Sequence, residues 1–448
     1  MSFVNMHWAT KLRSQATLAL ALALVAVLAN SAVGRTGVID RVSLKPGGRQ
    51  ANRPSGFGVV SNDGRFVAYL SDAGRLVPGD TNGFTDVFVV NRRTGSTERV
   101  NVSSTGEQMP GPWGEENTYV DISGDGRIIA FATSSPGLVP NDTENYNDVF
   151  VHNRKTGRTM RVSVNSRGEQ GNSHSFEPTL SANGRYVGFQ SVASNLSHVR
   201  LPDDSKSTVR SYVHDRKTKT TSLVGLSSDG EVANDHTAAL DLSSDGRFAV
   251  FDSSASNLVP DDRDPGSDVF VRDLFLGTTS YVSKSSREHP GNDGSFEPSI
   301  SGNGRYVAFS SAASNLVRGD DNGADDVFVR DRARGSTVRV SVGTDGQEAD
   351  GLSFGPAIAA RATVVTFVSR ATNLARGYSP ADDVYAHNFK TGRTRLVSTS
   401  LRGEEANDHS LRPRPSADGR LVAFTSRASD LTVRDTNGVG DQFVWRRR

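Results

Sequence analysis

Between Ser301 and Val342 the chain alternates short apolar runs with polar turns, in an order that recurs along nearly its whole length. Tyr306 to Phe309 is apolar at every position, as is Val327 to Val329, whereas Val338, Val340 and Val342 are interleaved with Thr337, Arg339 and Ser341. A short unbroken apolar run reads as a strand covered on both faces, and strict alternation as a strand wet on one side. Asn303-Gly304 and Arg334-Gly335 sit between these runs. Such dipeptides suit tight hairpins, because glycine takes a positive φ without a steric penalty.

The turn Ser-x-(Asp/Asn)-Gly-Arg places its arginine at Arg65, Arg127, Arg185, Arg247, Arg305 and Arg420, and a copy without glycine falls near Ala362 and Thr363. Seven units of about sixty residues therefore follow one another. A second hairpin signal appears at Thr94-Gly95, Thr156-Gly157, Leu276-Gly277, Arg334-Gly335 and Thr391-Gly392, with Lys219 in the glycine's place in the third unit. Each unit reads as four strands, a to d; in the first they lie near Phe57 to Val60, Phe66 to Leu70, Asp86 to Val90 and Glu98 to Val102. The predicted fold is all-β, a seven-bladed β-propeller of four-stranded blades forming one domain over residues 35–448. Gly37 to Asn52 matches a strand d and its loop with no strands a to c before it, and the last unit stops at its strand c, Gln442 to Trp445. An N-terminal strand completing the last blade would close the ring and leave no open edge. Arg446 to Arg448 read as a solvated tail.

Composition adds three points. An apolar content of 35% with 44 glycines is low for a packed globule and suits thin layers joined by many turns. Lys11 and Arg13 precede an apolar run from Ala16 to Ala29, followed by Ser31, Ala32 and Gly34. Residues 1–34 thus read as a secretory signal peptide, predicting a secreted or periplasmic protein with no membrane span after cleavage; the chain has no cysteine to staple. The net charge is +1 with the signs interspersed, so nucleic acid is not an expected partner.

Up-and-down strands put the a–b and c–d hairpins on one face and the longer b–c and d–a loops on the other, the face expected to carry function. Before strand c the b–c loop repeats Asp-x-(Asn/Asp/Glu)-x-x-x-Asp: Asp80, Asn82, Asp86; Asp142, Glu144, Asp148; Asp262, Asp264, Asp268; Asp320, Asn322, Asp326; Asp435, Asn437, Asp441. The third unit keeps only Asp204, with Arg210 at the last position, and the sixth keeps only Asp383. Alternating oxygen side chains in a tight loop suit a hard cation such as Ca²⁺, and equally suit Asx turns whose last Asp binds backbone N–H groups. In the d–a loop His174, His236 and His409 occupy equivalent positions. Tyr119, Glu177, Glu297 and Arg412 fall four residues before the turn serine, lining the channel mouth. A pair such as Glu177 and Glu297 has the chemistry for acid/base work on a glycan. Gly351 to Gly355 satisfies G-x-S-x-G, but a hydrolase elbow needs a strand, a turn and a helix, and Ser353 merely occupies the repeat's usual serine position.

With the S-x-(D/N)-G-R-x-(V/I)-(A/G)-F turns in view, residues 38 to 448 resemble the TolB-like β-propeller repeat family, without TolB's N-terminal α/β domain. The resemblance implies an exported, non-enzymatic propeller that docks a protein or an envelope component through one face. The function expected is a binding or scaffold module whose partner, a protein or envelope glycan, sits on the b–c and d–a loops. The alternative is an extracellular glycan-active enzyme using the mouth carboxylates.

Overall fold

In a computed structural model the described residues are 37–111, 119–142, 145–201, 208–262, 266–374 and 381–448. The expected signal peptide, Asp204, Glu144 and Asp264 lie outside them. Among the described residues every regular element is a strand, and no helix is long and apolar enough to cross a membrane. Seven antiparallel sheets have four strands each. In blade five these are a (Ser295–Ile300), b (Tyr306–Ser311), c (Asp326–Asp331) and d (Ser336–Arg339). Strand a of the other blades is Ser55–Val60, Val120–Ile122, Ser175–Leu180, Thr237–Leu242, Ser353–Ile358 and Ser410–Pro415.

The buried apolar runs do what their pattern predicts. Phe309 on strand b lies opposite Phe328 on strand c, and their rings stack at 5.8 Å. The corresponding pair recurs in every blade, from Tyr69 and Phe88 at 6.0 Å to Phe424 and Phe443 at 5.7 Å. The core lies between blades: Val327 and Val329 of blade five pack with Val365 and Phe367 of blade six. No blade buries its faces alone, which is why the units must stack.

The ring closes as the repeat predicts. Gly37–Arg41 is antiparallel to Asp441–Arg447, with Ile39 opposite Trp445 and Arg41 opposite Phe443. Ile39 and Trp445 join the last core cluster, so the clasp is apolar as well as hydrogen-bonded. Arg446 and Arg447 belong to that strand, not to a solvated tail, because Val38 and Gly37 pair with them. Strand d of the first blade is Ser96–Arg99 and stops short of Val102, which bridges to Gln108 instead.

The turns explain the two missing glycines. Ala362 and Lys219 replace them and still hold left-handed φ values of 51° and 61°. Gly304 is needed twice over: its φ is +71°, and a Cβ there would meet the Phe248 ring of the preceding blade at 2.1 Å. The a–b turns also bond to one another: Asn62 N–H donates to Gly124 O, Gly124 N–H to Ala182 O, and the series continues through Ser244 and Gly302 to Ala360.

Candidate binding site at the channel mouth

Strand a carries an irregularity that the sequence does not announce. In six blades its pairing with strand b skips between the second and fifth residues. The third residue takes a positive φ: Phe57 (58°), Glu177 (49°), Ala239 (45°), Glu297 (53°), Gly355 (61°) and Arg412 (56°). A bulge of this kind re-aims a side chain, and five of these six positions hold a residue that dislikes the conformation. Tyr119 stands at the same repeat position, just before the shorter strand a of blade two. In blade seven Thr425 Oγ1 accepts Phe57 N–H at 3.0 Å and Gln442 Oε1 accepts Gly58 N–H at 2.9 Å, fixing the bulge of blade one.

The re-aimed side chains form two arcs. On one side the Arg412 guanidinium lies 3.8 Å over the Phe57 ring and 5.6 Å from that of Tyr119. Phe57 and Tyr119 meet edge to face at 6.1 Å. Tyr119 is hydrogen-bonded to both Arg412 and Glu177, and burial followed by the Glu177 charge raises its hydroxyl's pKa. Gln190 Nε2 donates to Glu177 Oε2 at 2.5 Å. Burial raises Glu177, partly offset by Tyr119, Gln190 and Arg412. On the other side Asp252 Oδ2 accepts Glu297 N–H at 3.0 Å, and Glu297 Oε2 accepts Gly355 N–H at 2.9 Å. Burial pushes Asp252 up to about 6, with the charges of Glu297 and Glu177 adding to it. Deeper in the channel Asp121 Oδ2 accepts Leu180 N–H at 2.6 Å and Asp241 Oδ2 accepts Ile300 N–H at 3.0 Å, stapling neighbouring blades.

The four expected channel residues therefore do share one mouth. Phe57, Gln190 and Asp252 were not expected. Gln190 and Asp252 are the fifth residues of strands b (Tyr186–Ser191 and Phe248–Ser253), where Leu70 and Val368 stand in blades one and six, so a polar residue in an apolar run was the available signal.

The acidic loops have a different resolution. In blade one Arg99 Nη1 lies 3.4 Å from Asp80 and 3.2 Å from Asp86. Arg161 repeats this with Asp142 and Asp148 at 3.0 and 3.1 Å, Arg339 with Asp320 and Asp326 at 3.3 and 3.1 Å, and Arg41 with Asp435 and Asp441 at 2.8 and 3.6 Å. Each arginine comes from strand d of its blade. Strand d has Leu223 in blade three and Leu396 in blade six instead; the loop of blade six also lacks the first Asp, whereas blade three keeps Asp204 and has Arg210 in place of the last. Blade four has Tyr281 at this strand d position and keeps both Asp262 and Asp268 in its loop. Asn82, Asn322 and Asn437 turn their carbonyl oxygens to the backbone N–H two residues on and their amide nitrogens toward the last Asp. That is the Asx-turn arrangement. The carboxylate oxygens of Asp320, Asp326 and Glu348 lie within 4.8 Å of one another, and Arg339 contacts all three. Burial raises Asp320 and Asp148 to about 6.

The histidines are spread over three loops. Nδ1 of His174, His236 and His409 accepts the N–H of Asn147, Val209 and Asp382, at 3.1, 3.0 and 3.0 Å, from the b–c loop of the preceding blade. Their expected place on the loop face holds, with each tying two blades together. Ser353 begins strand a, and its Oγ lies 2.9 Å from that of Ser369, both buried, like the serine pairs of other blades.

No protein-family model matches the sequence, and no curated protein matches it either. Solved structures do. An oligogalacturonate lyase from Vibrio parahaemolyticus superposes with a TM-score of 0.54 at 11% identity, over 91% of this chain and 93% of that one. The β-propeller domain of the Trilobed protease from Pyrococcus furiosus gives 0.53 at 9% identity, over 88% and 95%. TolB from Acinetobacter baumannii is also matched, at 13% identity over 81% and 76%, with a TM-score of 0.41. The fold is a seven-bladed β-propeller. Identities this low speak to the fold alone.

Proposed function

We propose that this chain is an exported binding propeller whose b–c and d–a face takes a protein or cell-envelope glycan partner at the channel mouth. One observation carries the reading. Phe57, Glu177, Ala239, Glu297 and Arg412 hold left-handed φ values where glycine would be free of strain, as Gly355 is in blade six. A non-glycine residue in that region costs on the order of 1–2 kcal/mol. Strain kept at four large side chains around one opening marks a surface selected for contact. Arg412, Phe57 and Tyr119, with Glu177 hydrogen-bonded to Tyr119, offer a cationic and aromatic platform, opposite the carboxylates of Asp252 and Glu297.

Binding is favoured over catalysis because each of those carboxylates already accepts a hydrogen bond from within the mouth. A second reading, a glycan-active enzyme, draws on Asp252: a carboxyl raised to about 6 near two others is the pattern of an acid/base set, and an oligogalacturonate lyase shares the fold. Calcium would enter at Asp320, Asp326 and Glu348, by displacing the Arg339 guanidinium from its three contacts. Export rests on residues 1–34.

The test is a pull-down from cell-envelope extract, with and without calcium, using the parent protein and the Arg412→Ala and Glu177→Gln variants. A defined partner captured by the parent and lost by both variants is the expected result. Turnover of an exported polysaccharide, abolished by Glu297→Gln or Asp252→Asn, would replace this reading with the enzymatic one.

A further inference from the structure

The near-zero net charge conceals local clusters of opposite sign, acidic in two mouth-side loops and basic in the c–d turns, although other mouth-side loops carry cations such as Lys45 and Arg167, and Asp63, Asp125 and Asp245 of the a–b turns share the basic turns' face. Loops 224–236 and 340–352, on the mouth side, carry Asp229, Glu231, Asp235 and Asp345, Glu348, Asp350 with no lysine or arginine. The c–d turns, on the outer rim of the opposite face, are the reverse. Turns 92–95, 154–157, 216–219, 332–335 and 389–392 contain two, two, three, two and one lysines or arginines, and no Asp or Glu.

The turns split their cations between two roles. The first arginine of four turns folds inward: Nη1 of Arg92 and Arg332 donates to the carbonyls of Gly64 and Gly304 at 2.9 and 2.6 Å, and Arg154 and Arg216 do the same to Gly126 and Gly184. The remaining six, Arg93, Lys155, Lys217, Lys219, Arg334 and Lys390, are exposed. The turn of blade four breaks the series with Leu274, Phe275, Leu276 and Gly277. Phe275 is 63% and Leu276 68% exposed, an adjacent apolar pair, whereas the other large exposed apolar residues among the described residues stand singly. This tip cannot fold back easily. Asp273 Oδ1 accepts the N–H of Phe275 and of Leu276 at 3.0 and 3.1 Å, and Arg247 holds Asp273 at 2.7 Å.

From this arrangement we infer that the hairpin face docks on an anionic phospholipid surface, with Phe275 and Leu276 entering the headgroup layer and the six rim cations facing lipid phosphates. Cations alone suit any polyanion. An exposed, braced Phe-Leu pair on the same rim gains nothing from nucleic acid or a sulfated glycan, but gains apolar burial at a bilayer. Juxtaposed basic residues add attraction to anionic lipid that falls with salt. Such docking would leave the channel mouth facing away from the membrane, so it stands independently of the binding proposed there.

The experiment is co-sedimentation of the protein, purified as its host produces it, with vesicles of phosphatidylcholine alone and of equimolar phosphatidylcholine and phosphatidylglycerol. Binding to the anionic vesicles should be lost in high salt. Lys217→Glu with Lys219→Glu should weaken it by about thirtyfold or more, since two cations near the surface are replaced by anions. Phe275→Ser with Leu276→Ser should weaken it severalfold with the melting temperature unchanged, and Phe275→Trp should show a blue-shifted emission on anionic vesicles only. Equal binding to both vesicle types, no binding to either, or binding to heparin or duplex DNA as tight as to anionic vesicles and indifferent to the Phe275 and Leu276 changes would each overturn the inference.

Discussion

Arg412 of the last blade lays its guanidinium 3.8 Å above the ring of Phe57 of the first, across the seam where the chain closes on itself. Both residues sit in bulged strands at left-handed φ, so the contact is held from two strained positions at once. It ties the integrity of the mouth to closure of the ring, since Thr425 and Gln442, which fix the Phe57 bulge, belong to the clasped blade.

A double-mutant cycle on Arg412→Ala and Phe57→Ala tests that link. The expected coupling is about 1 kcal/mol, read from urea unfolding midpoints, as a partly desolvated cation–π pair supplies. Additive effects would mean the stacking contributes nothing.

Stability should depend on pH from two opposite directions within blade six. His387, like His214 in blade three, is buried against a threonine hydroxyl, and burial pushes both down to about 4 from 6.5. Their folded pKa is depressed, so the neutral form's stability is present above about 6.5 and is lost as pH falls toward 4. Asp383 is raised by burial to about 8 from 3.8, so its protonated form favours folding at low pH and the penalty of ionising it grows as pH rises to about 8. Thermal melts across this range should show His387→Gln flattening the acid limb. Asp383→Asn should raise the melting temperature above pH 8 and leave it unchanged below pH 4.

Removing Arg339 should be costly, because Asp320 and Asp326 would remain almost wholly buried without their counter-charge. Arg339→Ala is expected to lose about 3 kcal/mol in chemical denaturation, the scale of a broken buried pair. The parent's melting temperature should be the same with and without chelator. A chelator-sensitive parent would show that an ion, not the guanidinium, holds that loop.

Ala362→Gly should stabilise by about 0.5–1 kcal/mol, since alanine there holds φ +51° where the other repeats use glycine. Gly304→Ala should destabilise by more than that, its Cβ clashing with Phe248. Equal urea midpoints for parent and Ala362→Gly would contradict the strain argument.

Much of the site was legible because the repeat itself indexes it. Tyr119, Glu177, Glu297 and Arg412 share one repeat position and one mouth, and Lys219 and Ala362 occupy the turn positions that their spacing assigned them. Phe57 shares that repeat position, four before Ser61, but as an apolar residue in an apolar strand it carried no chemical signal; Asp252 was marked only by interrupting a run otherwise shaped for burial, and the bulge that re-aims Phe57 cannot be read from residues that avoid its conformation. The pairing of Arg99 with Asp80, and of Arg339 with Asp320, is hinted at only in blade six, which lacks both partners, while blades three and four keep the Asp without the arginine; strand pairing is what brings the ends of strands d and c together.

The sequence by itself determined seven four-stranded units, their turn chemistry and the closing strand, because hairpin signals and apolar runs are local and are repeated with one period. Tertiary structure alone decided which side chains meet. Arg412 and Phe57 stand near opposite ends of the chain, and Asp252 and Glu297 in different blades, so their contacts are a property of the closed ring, not of any segment within it.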